Sequence, residues 1–374
     1  MDKNDKKVSV VRCENYGKSQ VYEAVKRSVE LLGGLGQFVS PGQSVFLKFN
    51  LLCGAAPETC IATHPDAVYA VAKLLKEYGC NVLMGDSPGS GLPYTKAVLK
   101  KAYAETGYIE VSEDLGIPLN YDTGYDRVMA PDGILVKRFS VIKPAIDADA
   151  IIVVSRAKTH SLTYLSGAAK NMFGVIPGLE KPLYHANYQS AEDFGKAMID
   201  LNEAMKPKLQ VMDAIIGMEG DGPHSGTPRK IGAVMASGDY NAIDVATARL
   251  MSIDPRRVST IAAAVERGYL REDFSDVAIV GEPLEGLIVE DYKRPSTYYV
   301  PRNNSDSRMR SFISAIKPHI LADQCIGCMK CMRSCPVKAI SAVDEKPSID
   351  YDKCIRCYCC HEMCDDHAIA LERS

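Results

Sequence analysis

The chain has 374 residues, and 46% of them are hydrophobic, so it can fill the cores of more than one domain and is neither a disordered nor a fibrous polypeptide. Its 44 Lys and Arg against 47 Asp and Glu leave a formal charge of only -3, without the basic excess of a nucleic-acid binder. No apolar run reaches the ~20 residues needed to span a bilayer, and MDKNDKKVSV has neither a secretory apolar region nor a twin-arginine pair, so no membrane association and a cytoplasmic location are expected.

In chain order, β-branched runs alternate with helical patterns, which predicts an α/β fold with a largely parallel sheet covered by helices. Buried strands are expected at SVFLKFN from Ser44, NVLMGDS from Asn81, AIIVVSRAK from Ala150 and LQVMDAIIG from Leu209. PDAVYAVAKLLKEYG from Pro65 reads as a helix with an apolar stripe through Val68, Val71, Leu74 and Leu75, closed by Gly79, with Thr63 as candidate cap. KIGAVMAS is a further strand, NAIDVATARLMS and PRRVSTIAAAVERG are helices, and VAIVGE follows them. The domain is expected over 1–290, a polar, proline-bearing linker over 291–317, and a small second domain over 318–374.

Ligands of open α/β sheets bind beyond the carboxyl ends of the strands. Four of these strand ends carry ionisable groups: Lys48 and Asn50; Asp86 and Ser87; Arg156, Lys158 and His160; and Asp213, Glu219, Asp221 and His224. His64 stands at a helix start, where an anion is favoured, and GAAKNMFGVIPGLEKPLYH supplies Lys170, Asn171, Lys181 and His185 in an irregular segment suited to covering a site. Neither glycine-rich run has the order of a nucleotide-binding loop, and neither GxSxG nor HExxH occurs.

The motifs LKFN, ATHPD, MGDSPG, SRAKTH with GAAKNMFGVIPG, and VMDAIIGMEGDGP with GDYNAIDV are together similar to the family called domain of unknown function 362. That resemblance implies a shared polar site on Lys48, Asn50, His64, Asp86, Lys158, His160, Lys170, Asn171, Asp213, Glu219 and Asp221, as positions rather than roles. The strand-then-helix layout is also remotely similar to nickel-dependent racemases, a likeness that no motif carries.

Nine of the 13 cysteines fall between Cys325 and Cys364. QCIGCMKCMRSCPVKAI and KCIRCYCCHEMCDDHAI repeat the spacing C-x2-C-x2-C-x3-C, and here the tail resembles the bacterial two-cluster ferredoxins. Four thiolates also suit zinc, whose modules usually pair C-x2-C across a longer span. The ferredoxin resemblance implies two [4Fe-4S] clusters, one held by Cys325, Cys328, Cys331 and Cys364, the other by Cys354, Cys357, Cys360 and Cys335. Asp365 replaces the proline that follows the first repeat, and Cys359 is a ninth, adjacent thiol.

These features suggest an anaerobic, ferredoxin-dependent oxidoreductase. Its tail would exchange electrons with a redox partner protein, and its large domain would hold a small anionic substrate through Lys48, Lys158, Lys170 and the histidines. Asp213 or Glu219 would then be proton donor or ligand of an additional divalent metal. The alternatives are an electron carrier whose large domain docks a partner oxidoreductase, and a divalent-metal enzyme with accessory clusters.

Overall fold

The structure, a computed structural model, describes residues 6–89, 91–299 and 316–373. Its central sheet is formed by β1 (Lys6–Arg12), β2 (Ser44–Lys48), β3 (Asn81–Gly85), β4 (Ala150–His160), β5 (Leu209–Glu219), β6 (Thr227–Ser237) and β7 (Val277–Gly281). They lie in the order β7-β1-β6-β5-β4-β2-β3, with the short strand Tyr164–Leu165 paired onto the end of β4. Only β6 runs antiparallel to its neighbours β1 and β5; the other pairs along this path are parallel.

The strands read as continuous apolar runs because the sheet is buried on both faces. Along β4, Ile152 and Val154 enter one core while Ile151 and Val153 enter another. The first core is covered by α1 (Lys18–Glu30) and α2 (Pro65–Glu77), whose Val68, Val71 and Leu75 are buried in it. The cap of α2 is His64 rather than the predicted Thr63: its Nδ1 accepts from Asp66 N at 3.1 Å. Thr63 instead accepts from Asn50 N and donates to Val154 O, tying two strand ends together.

Parallel pairing sets the carboxyl ends of β2, β3, β4 and β5 on one edge, where β4 and β5 run on past their shorter neighbours. The irregular segment after β4 forms two short helices, α3 (Gly167–Asn171) and α4 (Lys181–Asn187), joined by 3-10 turns. Asp244 anchors it by accepting from Ala168 N and Ala169 N at 2.5 and 3.1 Å. Residues 291–299, expected as linker, belong to the large domain: Tyr292 is buried in its core, and Lys293 N and Ser296 N donate to Glu219 and Asp221. The rest of the expected linker before Ile316 lies outside the described residues.

In the tail, β8 (Ile316–Ile320) pairs with β11 (Ile369–Arg373), and β9 (Ile340–Val343) with β10 (Lys346–Ile349), all antiparallel. Each cysteine loop ends in a short helix, α5 (Lys330–Ser334) and α6 (Cys359–Glu362). The duplication extends to the backbone. Gly327 and Arg356, Met329 and Tyr358, and Lys338 and His367 are equivalent pairs, and all six have positive φ.

Candidate functional site: two thiol-lined voids against a lysine-lined pocket

Two voids open inside the tail. One, of about 20 Å³, is lined by Cys325, Cys328, Cys331 and Cys364; the other, also of about 20 Å³, by Cys335, Cys354, Cys357 and Cys360 together with Cys359. Each therefore takes three cysteines from one repeat and the fourth from the other. The fourth ones receive matching backbone hydrogen bonds, Ala339 N to Cys335 Sγ at 3.1 Å and Ala368 N to Cys364 Sγ at 3.2 Å. Among the described residues no three His, Cys, Asp or Glu groups gather as ligands of a single ion. Four cysteines around a cavity that isoleucines also line are a donor set that fits a cubane.

The large-domain pocket lies at the sheet edge, a partly open cavity of about 50 Å³. It brings together Lys48, Asn50, Asp86, Ser87, Arg156, Lys158, Lys170, Asn171, Lys181 and His185 from the residues singled out in the sequence, and adds Glu362. Lys48 Nζ is fully buried and meets three acceptors, Phe49 O at 2.6 Å, Asn171 Oδ1 at 2.6 Å and Asp86 Oδ1 at 3.0 Å. Lys181 Nζ likewise meets Ser87 O, Ser87 Oγ and Pro88 O, at 3.3, 2.7 and 2.6 Å. Lys158 Nζ donates to Asn50 Oδ1 and Ile61 O at 2.6 and 2.7 Å. Lys170 Nζ lies 5.9 Å from the Phe173 ring and makes no hydrogen bond to the described residues.

Crowding these cations out of water shifts them. Burial pushes Lys158 down to about 7, and the Lys170 charge adds to it; burial pushes Lys181 down to about 7 as well. His185, stacked on Phe194 at 4.5 Å, is driven down to about 3 by burial and is neutral.

His160 lies just behind the pocket wall. Its Nδ1 accepts from Leu162 N and Thr163 N at 3.0 and 3.4 Å, so the ring proton sits on Nε2, 3.1 Å from Glu362 Oε1. Burial and Lys170 push this imidazole down to about 4. Burial alone would raise the Glu362 carboxyl, yet the adjoining His160 and the Lys170 side chain hold it well below the usual carboxylate range. Glu362 is the residue that sequence reasoning missed. It belongs to the tail, between Cys360 and Cys364, and its role arises only when the tail docks.

Other predicted residues lie elsewhere. Asp213 is buried against Arg156 at 3.8 Å and accepts from Tyr16 at 2.8 Å and from His64 N at 3.2 Å. The His64 ring stacks on Tyr16 at 3.5 Å, so neither residue lines the pocket or faces an open anion site. Glu219 pairs with Arg229 and Lys293, at 3.9 and 3.6 Å, and Asp221 holds Ser296. The expectation that Asp213, Glu219 and Asp221 share the site is corrected by these pairings: each carboxylate fastens a different part of the scaffold.

Further contacts seat the tail over the pocket. His361 Nε2 lies 3.2 Å from Asp221 O, His224 lies 3.7 Å from Asp365, and Ser334, next to Cys335, packs on Gly91. Burial lowers the proton affinity of Lys170, and Glu362 and Cys359 of the tail lie close to it.

Comparison with known proteins gives a consistent assignment. Residues 45–249 match the family described as Domain of unknown function (DUF362), and residues 317–365 match a 4Fe-4S dicluster domain. A thylakoid-associated protein of Synechocystis sp., sll1697, is 34% identical over 293 residues, covering 78% of this chain and 88% of that protein. Among solved structures, the lactate racemase apoprotein of Thermoanaerobacterium thermosaccharolyticum aligns with TM-score 0.43 and 12% identity, over 67% of this chain and 58% of its own. A protein from Thermotoga maritima aligns with TM-score 0.37 and 13% identity, over 59% and 55%. The chain thus spans little more than half of either structure.

Proposed function

The chain belongs to the DUF362 family and carries an iron–sulfur ferredoxin-type domain, and from that premise we propose that it is a redox enzyme whose two clusters exchange electrons with a small anion held in the lysine-lined pocket. The observation that carries this reading is Glu362: a residue flanked by cluster cysteines forms part of the pocket wall. A [4Fe-4S] cluster, when bound, passes one electron at a time. Lys170 is the lysine left for the anion, whose charge would offset the burial that lowers its proton affinity, while Lys48 and Lys181 are held by their own acceptors. The solvent side of the tail, where Cys328 is exposed and Ile326 is 70% exposed, serves the redox partner. Among the described residues, no helix is long and apolar enough to cross a membrane.

The test uses inorganic phosphate and the anaerobically prepared full chain. Phosphate should bind and lower the reduction potential of the cluster at Cys335, Cys354, Cys357 and Cys360, because added negative charge disfavours the reduced form. Lys158→Ala with Lys170→Ala should abolish both effects while the cluster absorption persists. An unmoved potential, with reduction by a partner ferredoxin unchanged in the double variant, would favour the carrier reading.

The pocket also predicts a pH dependence. Lys158 sits among Lys170, Arg156, Cys53 and Glu362, and Lys181 among Asp86, Lys48 and Lys170. Both lysines lose their protons near pH 7 in the free protein, whereas an anion favours their charged forms. Binding therefore takes up protons above that pH, and affinity should fall as pH rises through it, by up to about tenfold per pH unit for each proton taken up. Calorimetry in buffers of different ionisation enthalpy measures this uptake.

A further inference from the structure

The buried lysines of the pocket are not equivalent in their hydrogen bonds. An ammonium has three N–H donors, whereas a neutral amine has two and a free lone pair. Lys48 meets three acceptors, two of them neutral oxygens and the third the Asp86 carboxylate. Lys181 also meets three, because Ser87 Oγ donates its own hydrogen to Ile176 O and can accept from the amine. Lys48 thus has a carboxylate partner and Lys181 a full set of three acceptors, while burial lowers the proton affinity of both. Lys158 meets only two acceptors, Asn50 Oδ1 and Ile61 O, and no carboxylate pairs with it. That set satisfies the two N–H donors of a neutral amine, and Lys158 lines the pocket.

Its surroundings push the same way. Lys158 is 3% exposed and lies near the cations Lys170 and Arg156. Burial beside another cation is a recognised way to activate an amine as a nucleophile. Lys170, without a hydrogen-bond partner among the described residues, stands in the same cavity to receive a carboxylate.

We propose that Lys158 is a covalent catalytic residue that captures a small 2-oxo acid as a Schiff base, with the carboxylate of the substrate on Lys170. This inference rests on the anion-pocket reading above and narrows its substrate class to carbonyl-bearing carboxylates. In the capture, the amine lone pair forms a C–N bond to the carbonyl carbon while the carbonyl π pair moves to oxygen. Transfer of both amine protons to that oxygen then releases water and leaves a neutral imine, which takes one further proton from solvent to become the iminium. Carbon and nitrogen exchange no electrons with the tail in this step.

The probe is pyruvate, added to the anaerobic full chain with sodium cyanoborohydride, which reduces the imine to a stable carboxyethyl-lysine. Peptide mapping should place a single carboxyethyl group on Lys158. The label should vanish in Lys158→Arg and in Lys158→Met, each checked for unchanged cluster absorption. Its initial rate should rise several-fold as pH increases through 7, because burial and Lys170 set the amine to lose its proton there, with Arg156, Cys53 and Glu362 as its other charged or titratable neighbours. Labelling that misses Lys158 or persists in both variants would overturn the nucleophile. If the phosphate-dependent potential shift survives that result, the anion pocket stands without it; if the shift is also absent, both readings fall.

Discussion

Alanine at Cys357 and alanine at Cys328 should each remove about half of the bound iron, yet only the first should abolish the response of the tail to phosphate. The two cysteines hold equivalent places in the repeats, and each lines one thiol void. Their surroundings differ. The Cys357 void includes Cys359, which lies near Lys170, and Cys335, whose neighbour Ser334 packs on Gly91 of the large domain. Cys328 is exposed beside the exposed Ile326. Iron analysis establishes the equal loss, and potentiometry with and without phosphate separates the two variants. Equal phosphate responses in both would sink the assignment of an inner cluster facing the pocket and an outer one facing the partner.

The parts of this arrangement that sequence reasoning reached are those encoded locally. Strands β2, β3, β4 and β5 were legible because burial on both faces demands unbroken apolar runs. The cysteine spacing was legible because the three thiols of one loop share a few residues of chain. Sheet order was not, since nothing local specifies that β6 inserts antiparallel between β1 and β5. Residue type at a strand end also failed to distinguish site from scaffold. Asp213 and Lys158 both belong to loaded strand ends, but Asp213 is consumed by Tyr16 and Arg156, while Lys158 lines the pocket. Glu362 lay beyond reach for the same reason at longer range. HEMCDD gives no local sign that its carboxylate will meet His160 in another domain.

Asp86→Ala should be among the most destabilising single changes in the large domain, costing about 3–5 kcal/mol by anaerobic chemical denaturation. Lys48 and Asp86 are 0% and 1% exposed, so water cannot replace the lost carboxylate. The variant leaves the Lys48 ammonium with Phe49 O and Asn171 Oδ1 but no counter-charge, and strips Leu51 N of its acceptor. Burial already lowers the affinity of Lys48 for its proton, and Asp86 opposes that effect. Without Asp86 the folded-state value drops further below the unfolded one, so the folded chain binds fewer protons than the unfolded chain over a wider range. Its stability then rises with pH across that range, and the deficit against the parent should narrow as pH increases. Replacing both members, Asp86→Leu with Lys48→Met, removes the unpaired charge and should recover much of the loss. If the double variant remains as unstable as Asp86→Ala, the cost lies in packing around Gly174, where a methyl group would already overlap Lys48 and Asp86, rather than in the buried charge.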